Sequence, residues 1–162
     1  MQTAQTNGND VIDVLGPQIK LLTSLAMAED AFCVVSSTMG PRAVVPLHSH
    51  PDREILDILD GELEAFVRDR WRLLQAGDVL DVTDGIKHAL RNLTAHPARL
   101  LVFTTVRMGR FFNEIGRPLA AAAEVPLAQD IERLLTTSVR YGYWNATPEE
   151  NAAVGISLPF MG

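Results

Sequence analysis

The sequence predicts a mainly β fold, an antiparallel sandwich or barrel, with short helices confined to its C-terminal third. Three observations predict it. From Val11 to Val106, short apolar runs follow one another at a spacing that leaves no room for intervening helices. Turn pairs separate them: Gly16-Pro17, Gly40-Pro41, Pro51-Asp52, Asp60-Gly61 and Gly77-Asp78. Beyond Met108 the apolar residues shift to helical spacing.

In chain order, Val11–Leu15 and Gln18–Leu25 read as strands, and Ala26–Asp30 as a connection. Ala31–Met39 is a strong strand stopped by Gly40-Pro41. Ala43–His50 is the next, and Pro51-Asp52 turns the chain. Glu54–Asp60 and Glu62–Val67 flank Asp60-Gly61, a hairpin signal. Arg68-Asp69-Arg70 turns into Trp71–Leu74, Val79–Thr83 alternates, and Ile86–Asn92 follows a turn at Asp84-Gly85. The polar loop Leu93–Pro97 precedes the apolar strand Ala98–Val106. Arg110–Ile115 is predicted helical, ending at Gly116 with Pro118 beyond. Ala120–Glu124 reads as a loop or single turn. Pro126–Val139 places Leu127, Ile131, Leu134, Leu135 and Ser138 along one side of a helix. Thr147-Pro148-Glu149-Glu150 is a capped helix start. Ile156–Gly162 is an apolar tail. The expected organisation is an arm at residues 1–10, a β domain at 11–108, and a helical extension at 109–162 packed on it.

Composition narrows the function. The chain has 162 residues, 47% of them hydrophobic and 21% charged, which suits one globular domain. A net charge of −6 without a Lys/Arg cluster argues against a nucleic-acid partner. No run approaches the ~20 apolar residues of a membrane span, and Met1–Gly8 lacks the features of a signal peptide. Cys33 is the single cysteine; it lies in an apolar strand, where a buried packing thiol is expected, and a reducing cytoplasm fits.

The chemistry concentrates in Pro46–Glu54. His48 and His50 lie two residues apart, on one face of a strand at a separation of ~7 Å. A helix cannot explain the pair, because residues i and i+2 diverge on it and Pro51 would break it. Glu54 shares their parity. Two imidazoles and a carboxylate meeting near a turn make three quarters of a divalent-metal site.

A second stretch, Gly77 to Asn92, carries His88 behind a strand and a glycine turn. Together the two stretches resemble the motifs of the cupin superfamily. The first runs Gly40, seven residues, His48-Ser49-His50, three residues, Glu54, six residues, Gly61; its leading spacer is two longer than usual. In the second, Gly77, Gly85, His88 and Asn92 fall in place, while Thr83 stands where proline is usual. The resemblance spans about residues 31–106 and continues into the helix that carries Phe111-Phe112, as in small single-domain cupins. It implies an antiparallel jelly-roll β-barrel with short C-terminal helices packed on it. A divalent transition metal (Fe, Mn, Ni, Co or Zn) is implied on His48, His50, Glu54 and His88. Such N/O donor sets suit borderline ions better than Ca or Mg, and four protein ligands on an octahedral ion leave two positions for exchange. Similar cupins include flavonol-cleaving, quercetinase-type dioxygenases. The implied activity is therefore a metal-dependent, dioxygenase-like oxidoreductase acting on a small organic substrate, with Glu54 as ligand or base. A metal-dependent isomerase, lyase or decarboxylase, and a non-catalytic binding module, are the alternatives. A homodimer is expected, since relatives of the fold often pair.

Other residues carry weaker expectations. His96, in a polar loop, is expected exposed, and Asp52 and Arg53 solvent-facing. Asp57 is expected to face away from the metal, while Leu56 and Ile58 line the pocket or pack the core. Phe66, Trp71, Phe103 and Met108 are core or pocket rim. Arg42, Lys87 and Arg91 either meet an anionic substrate or, as the favoured reading, lie on the surface. Tyr141-Gly142-Tyr143-Trp144 either docks a helix or covers a barrel end or partner surface.

Overall fold

The computed structural model describes residues 10–83, 85–121 and 126–158. Expectations for the N-terminal arm, Asp84, most of 120–124 and the end of the tail lie outside these residues. Among the described residues, twelve strands form two antiparallel sheets. The strands are β1 (Ile12–Asp13), β2 (Gln18–Leu21), β3 (Phe32–Met39), β4 (Val44–Ser49), β5 (Glu54–Asp60), β6 (Glu62–Val67), β7 (Arg70–Gln75), β8 (Val79–Val82), β9 (His88–Arg91), β10 (Ala98–Thr105), β11 (Arg117–Pro118) and β12 (Trp144–Asn145). The helices are α1 (Val106–Ile115), α2 (Ala128–Tyr141) and α3 (Pro148–Ala153). One sheet runs β11-β1-β2-β3-β10-β5-β8 and the other β12-β4-β9-β6-β7.

From β3 onward the chain passes back and forth between the sheets, leaving only β6 and β7 as sequence neighbours in one ladder. This alternation decides where the histidines and Glu54 go. β4 and β9 pair in the five-stranded sheet, with His48 opposite His88. Glu54 opens β5 in the other sheet. The alternating strands turn one set of side chains inward. Cys33, Val35 and Met39 of β3, Leu56 and Ile58 of β5, Leu63 and Ala65 of β6, and Leu100 and Val102 of β10 form one core between the layers. Each large aliphatic side chain buried in this way contributes roughly 1.5–3 kcal/mol.

Two expectations need correction. The sheets do not close into a barrel: each keeps its own edge strands, β8 and β11 on one and β7 and β12 on the other. The corners explain this, because the chain changes sheets at Pro51-Asp52 and Asp60-Gly61 instead of continuing a shared ladder. For the same reason Asp60-Gly61 is no hairpin. Gly61 (φ +74°) makes a sharp corner, and a Cβ there would lie 2.7 Å from the Pro97 carbonyl oxygen. The true hairpin joins β6 to β7 through Arg68 and Asp69, both at positive φ (51° and 62°), the geometry of a type I′ turn.

The C-terminal third is helical, as expected, with shifted boundaries. β10 runs straight into α1, which begins at Val106 rather than Arg110 because the Thr105 hydroxyl caps it by accepting the Met108 N–H. α2 begins at Ala128, so Pro126 precedes it, and the Asp130 carboxylate accepts the Leu127 N–H at its start. α3 has the expected Thr147 cap, with the Glu150 side chain returning the bond to the Thr147 N–H. No signal in the sequence marked β12, whose two residues pair with Ser49 and His48 and extend the sheet beyond the ligand strand.

Asn92, the last motif residue, is fully buried; it donates to the carbonyls of Met39 and His96 and accepts from Thr94, which fixes the loop under Gly61. The Gly61 corner gives a direct test. Gly61→Ala is expected to lower unfolding free energy by about 2–4 kcal/mol, while Gly85→Ala, at a similar φ (+70°) in open space, loses about 1 kcal/mol. Urea titrations of the two variants measure the difference, and equal losses would show that the corner is not sterically closed.

Candidate metal centre

Three strands and one turn build the site. His48 comes from β4, His50 from the turn just after it, Glu54 from the start of β5 and His88 from the start of β9. The structure brings all four together, with one donor atom from each within 4.8 Å of the others. His50, Glu54 and His88 are buried, and the imidazole of His48 stands 4.2 Å from that of His88, centre to centre.

The ring orientations follow from the backbone. Nδ1 of His48 lies 2.7 Å from the Pro46 carbonyl, Nδ1 of His50 2.8 Å from that of Asp52, and Nδ1 of His88 2.8 Å from that of Ile86. A carbonyl oxygen only accepts, so each Nδ1 carries the proton and donates it. Each Nε2 is then left as a lone pair facing inward. This fixes tautomer and direction together, as the outer partners of metal-bound histidines do.

The inner ends lack adequate partners. Nε2 of His88 lies 3.2 Å and Nε2 of His50 3.3 Å from the same Glu54 oxygen, Oε2. Nε2 of His50 is buried and makes no hydrogen bond. Neutral imidazoles would here turn lone pairs toward a carboxylate, so either a proton on a ring or a metal ion among the donors has to balance it. Burial, with help from the neighbouring His88 and His50 rings, pushes His48 down to about 3, so this ring stays neutral. Burial also opposes charge on His50, but the Glu54 carboxylate outweighs it and raises that pKa. Burial would raise Glu54 as well, yet the His50 and His88 rings beside it hold it well below the usual carboxylate range. A divalent transition ion fits this set: two or three neutral nitrogens, one carboxylate and an orphaned buried donor.

A further layer was not legible in the sequence. Asp52 is buried, not solvent-facing as expected. Its backbone oxygen accepts from His50, and its carboxylate accepts from the hydroxyls of Thr105 and Tyr143 (2.6 Å from the latter) and from Arg107. The Tyr143 ring lies 5.5 Å from the His50 ring. Burial and the bond to Asp52 raise the Tyr143 hydroxyl far above an ordinary tyrosine, so it serves as a fixed neutral donor rather than a proton shuttle. Tyr141 and Tyr143 pack against α1 and α2, the helix docking favoured for this segment, and Tyr143 and Trp144 also line the cavity.

The ligands form one wall of a cavity of about 160 Å³ between the sheets, roofed by α1 and α2. Leu56 and Met108 line it, as expected; Ile58 packs in the core. Phe66 and Trp71 form a separate cluster against the residues after α3, and Phe103 points outward, 38% exposed. Asp57 is partly exposed on β5 and Arg53 pairs with Asp81 at the surface. Arg42, Lys87 and His96 are exposed; Lys87 lies over Trp144, and Arg91 lies over Trp71 and pairs with Glu64. None of these lines the cavity.

His50→Ala and His88→Ala are each expected to strip most of the bound metal while the circular dichroism spectrum stays folded, a loss exceeding the ~10–100-fold typical of removing an outer partner. His96→Ala should leave metal content unchanged. Metal affinity should rise with pH through and beyond the ordinary imidazole range, because proton and metal compete for Nε2 of His50, whose pKa is raised. Elemental analysis and metal titration across pH measure both; unchanged metal content in the two alanine variants would overturn the assignment.

Comparison with known proteins places these features in a family. Residues 35–104 match the cupin domain model Cupin_2. A search of curated proteins gives no match. Among solved structures, an RmlC-like cupin from Shewanella frigidimarina superposes with a TM-score of 0.55 at 16% identity, covering 68% of this chain and 94% of that one. A predicted oxalate decarboxylase from Thermotoga maritima gives 0.54 at 22%, covering 60% and 93%. The Cnp3 cupin domain from Schizosaccharomyces pombe gives 0.50 at 20%; 55% of this chain is covered, and it spans 64% of that domain. At these identities the likeness is one of fold. The matched segment contains all four clustered ligands and ends before α1, so residues 35–104 form a cupin domain carrying a candidate His/Glu metal site, and the helical roof lies outside that match.

Proposed function

We propose that this chain is a metal-dependent oxidoreductase of the dioxygenase type, acting on a small, largely apolar substrate with an acidic hydroxyl. The observation that carries this reading is the placement of the buried ligand set as the polar wall of an otherwise apolar cavity. Away from the ligands the walls are mostly Val, Leu, Ile, Met and Phe side chains, and no Lys or Arg lines it among the described residues. Substrates bearing phosphate or several carboxylates would find no counter-charge beyond the metal itself.

A bound divalent transition ion supplies a Lewis acid and, where redox-active, a route to O₂. The chain's own residues supply the rest. His48, His50 and His88, locked through Nδ1, hold their Nε2 atoms in place without reorganisation. Among the described residues Glu54 is the one carboxylate on the cavity wall, and its Oε2 is placed to accept the substrate's hydroxyl proton once that hydroxyl is acidified at the metal site. Tyr143, bound to Asp52, cannot return that proton to a carbon, and no second acid or base lines the cavity among the described residues. Moving a proton between two substrate atoms is therefore poorly served, which favours oxygenation over isomerisation. The apolar roof of Phe111, Phe112, Ile131 and Leu134 keeps water from reactive species.

The test is an oxygen electrode with metal-depleted protein reloaded with Fe(II), Mn(II), Ni(II) or Co(II), against a panel of apolar enols and catechols. Substrate-dependent O₂ uptake is expected with at least one ion, falling by about 10²-fold or more in Glu54→Gln. Product formation without O₂ uptake would overturn oxidation in favour of an isomerase, lyase or decarboxylase. A rise in melting temperature with no turnover would point to a binding module.

A further inference from the structure

Among the described residues, two buried side-chain N/O atoms lack a hydrogen-bond partner, and both belong to residues that line the cavity. One is Nε2 of His50. The other is Oγ of Ser138, on α2, in a residue only 1% exposed. A serine inside a helix commonly satisfies its hydroxyl on the carbonyl one turn back. This one does not. Its neighbours along the same face, Ile131, Leu134 and Leu135, also line the cavity, at the helical spacing of three, four and seven residues. Ser138 is thus the polar exception in an apolar stripe. An unpartnered buried hydroxyl costs about 1–3 kcal/mol, and an alanine at this point of the stripe would avoid it.

The backbone of Ser138 is also tied to the metal end of the cavity. The Ser138 carbonyl accepts the Tyr143 N–H at 2.9 Å, and the Tyr143 ring stands beside His50. α2 lies beyond the part of the chain that matches the family model, so nothing assigns this residue a role.

We infer that Ser138 Oγ is a substrate-reading group: it hydrogen-bonds a single neutral polar substituent, hydroxyl or carbonyl, on an apolar ligand whose other end binds the metal. A serine hydroxyl both donates and accepts, so either substituent satisfies it. The chemical class follows from the charges. A divalent ion with one carboxylate and neutral imidazoles leaves one net positive charge, which a monoanionic oxygen head neutralises. The apolar stripe takes the body, and Ser138 takes the one remaining polar atom. This inference rests on the reading of the cavity as a substrate site, and the test separates the two.

Zinc-loaded protein, which is redox-silent, is titrated calorimetrically with alkyl hydroxamic acids of increasing chain length and with their ω-hydroxy counterparts. The head is monoanionic and oxygen-donating in every member. At one chain length the hydroxylated ligand is expected to bind about tenfold tighter than its alkyl partner, and Ser138→Ala should abolish that preference while leaving the alkyl ligand's affinity unchanged. Metal content should stay the same, and the melting temperature of Ser138→Ala should hold or rise, since an unpartnered hydroxyl is removed. A preference that survives in Ser138→Ala, no preference at any length, or a fall of several degrees in melting temperature would overturn the inference alone. Loaded zinc with no hydroxamate binding at all would overturn it together with the proposed function.

Discussion

Three imidazoles and a carboxylate share one buried space, and that arrangement is stable only if every ring is oriented before the charge is balanced. The orientation is done by main-chain carbonyls. Pro46, Asp52 and Ile86 each accept an Nδ1–H from a histidine two residues away, so ligand direction is written into the local backbone of two turns and one strand. No long side chain has to be ordered to achieve it, so the ordering entropy is already spent in folding the sheets. The inward nitrogens then meet Glu54, whose charge a ring proton or a bound metal ion balances. The alternation of strands between sheets serves the same end: it sets His48 against His88 in one layer and brings Glu54 from the other.

The C-terminal third completes the site from outside the family domain. β12 pairs with His48 and Ser49, and the Asn151 side chain accepts the Leu47 N–H one residue before the first ligand. Asp52 joins the His50 ring to Tyr143, Thr105 and Arg107, and Arg107 also donates to the Tyr141 carbonyl. Two of the three ligand histidines are therefore braced by residues about 100 positions away in sequence. The helices act as a roof for the cavity and as a clamp on its ligands.

The sequence carried the strand pattern and the donor set because both are local or repeated signals. Short apolar runs between turn residues marked β3, β5, β6 and β10, and the His48-Ser49-His50 spacing marked the metal. Its geometric reason was only half right: His48 ends a strand, His50 sits in the turn, and Glu54 opens a strand of the opposite sheet. Convergence comes from the turn, not from shared parity along one strand. His88 was found through the family motif, since nothing local distinguishes a ligand histidine from a packed one. Asp52 read as surface because an acid after proline usually is; its partners lie at positions 105, 107 and 143, which no local window contains. β12 escaped because two residues have no periodicity. The closed barrel was an expectation of the resemblance, and the sheet corners leave it open.

What the described residues leave unsatisfied is as informative as what they satisfy. Dispersed defects would be unremarkable in a fold of this size, since a few buried polar atoms without partners are normal. Here the two exceptions, His50 Nε2 and Ser138 Oγ, belong to residues that line one cavity, one in a turn and one on a helix. They lie 88 positions apart in the sequence, at 50 and 138. A fold optimised for stability would place apolar atoms at Ser138 and fill the space with larger side chains. Retaining both defects around one apolar void is what a site needs when its occupant brings a cation-bound oxygen to one wall and a single polar atom to another.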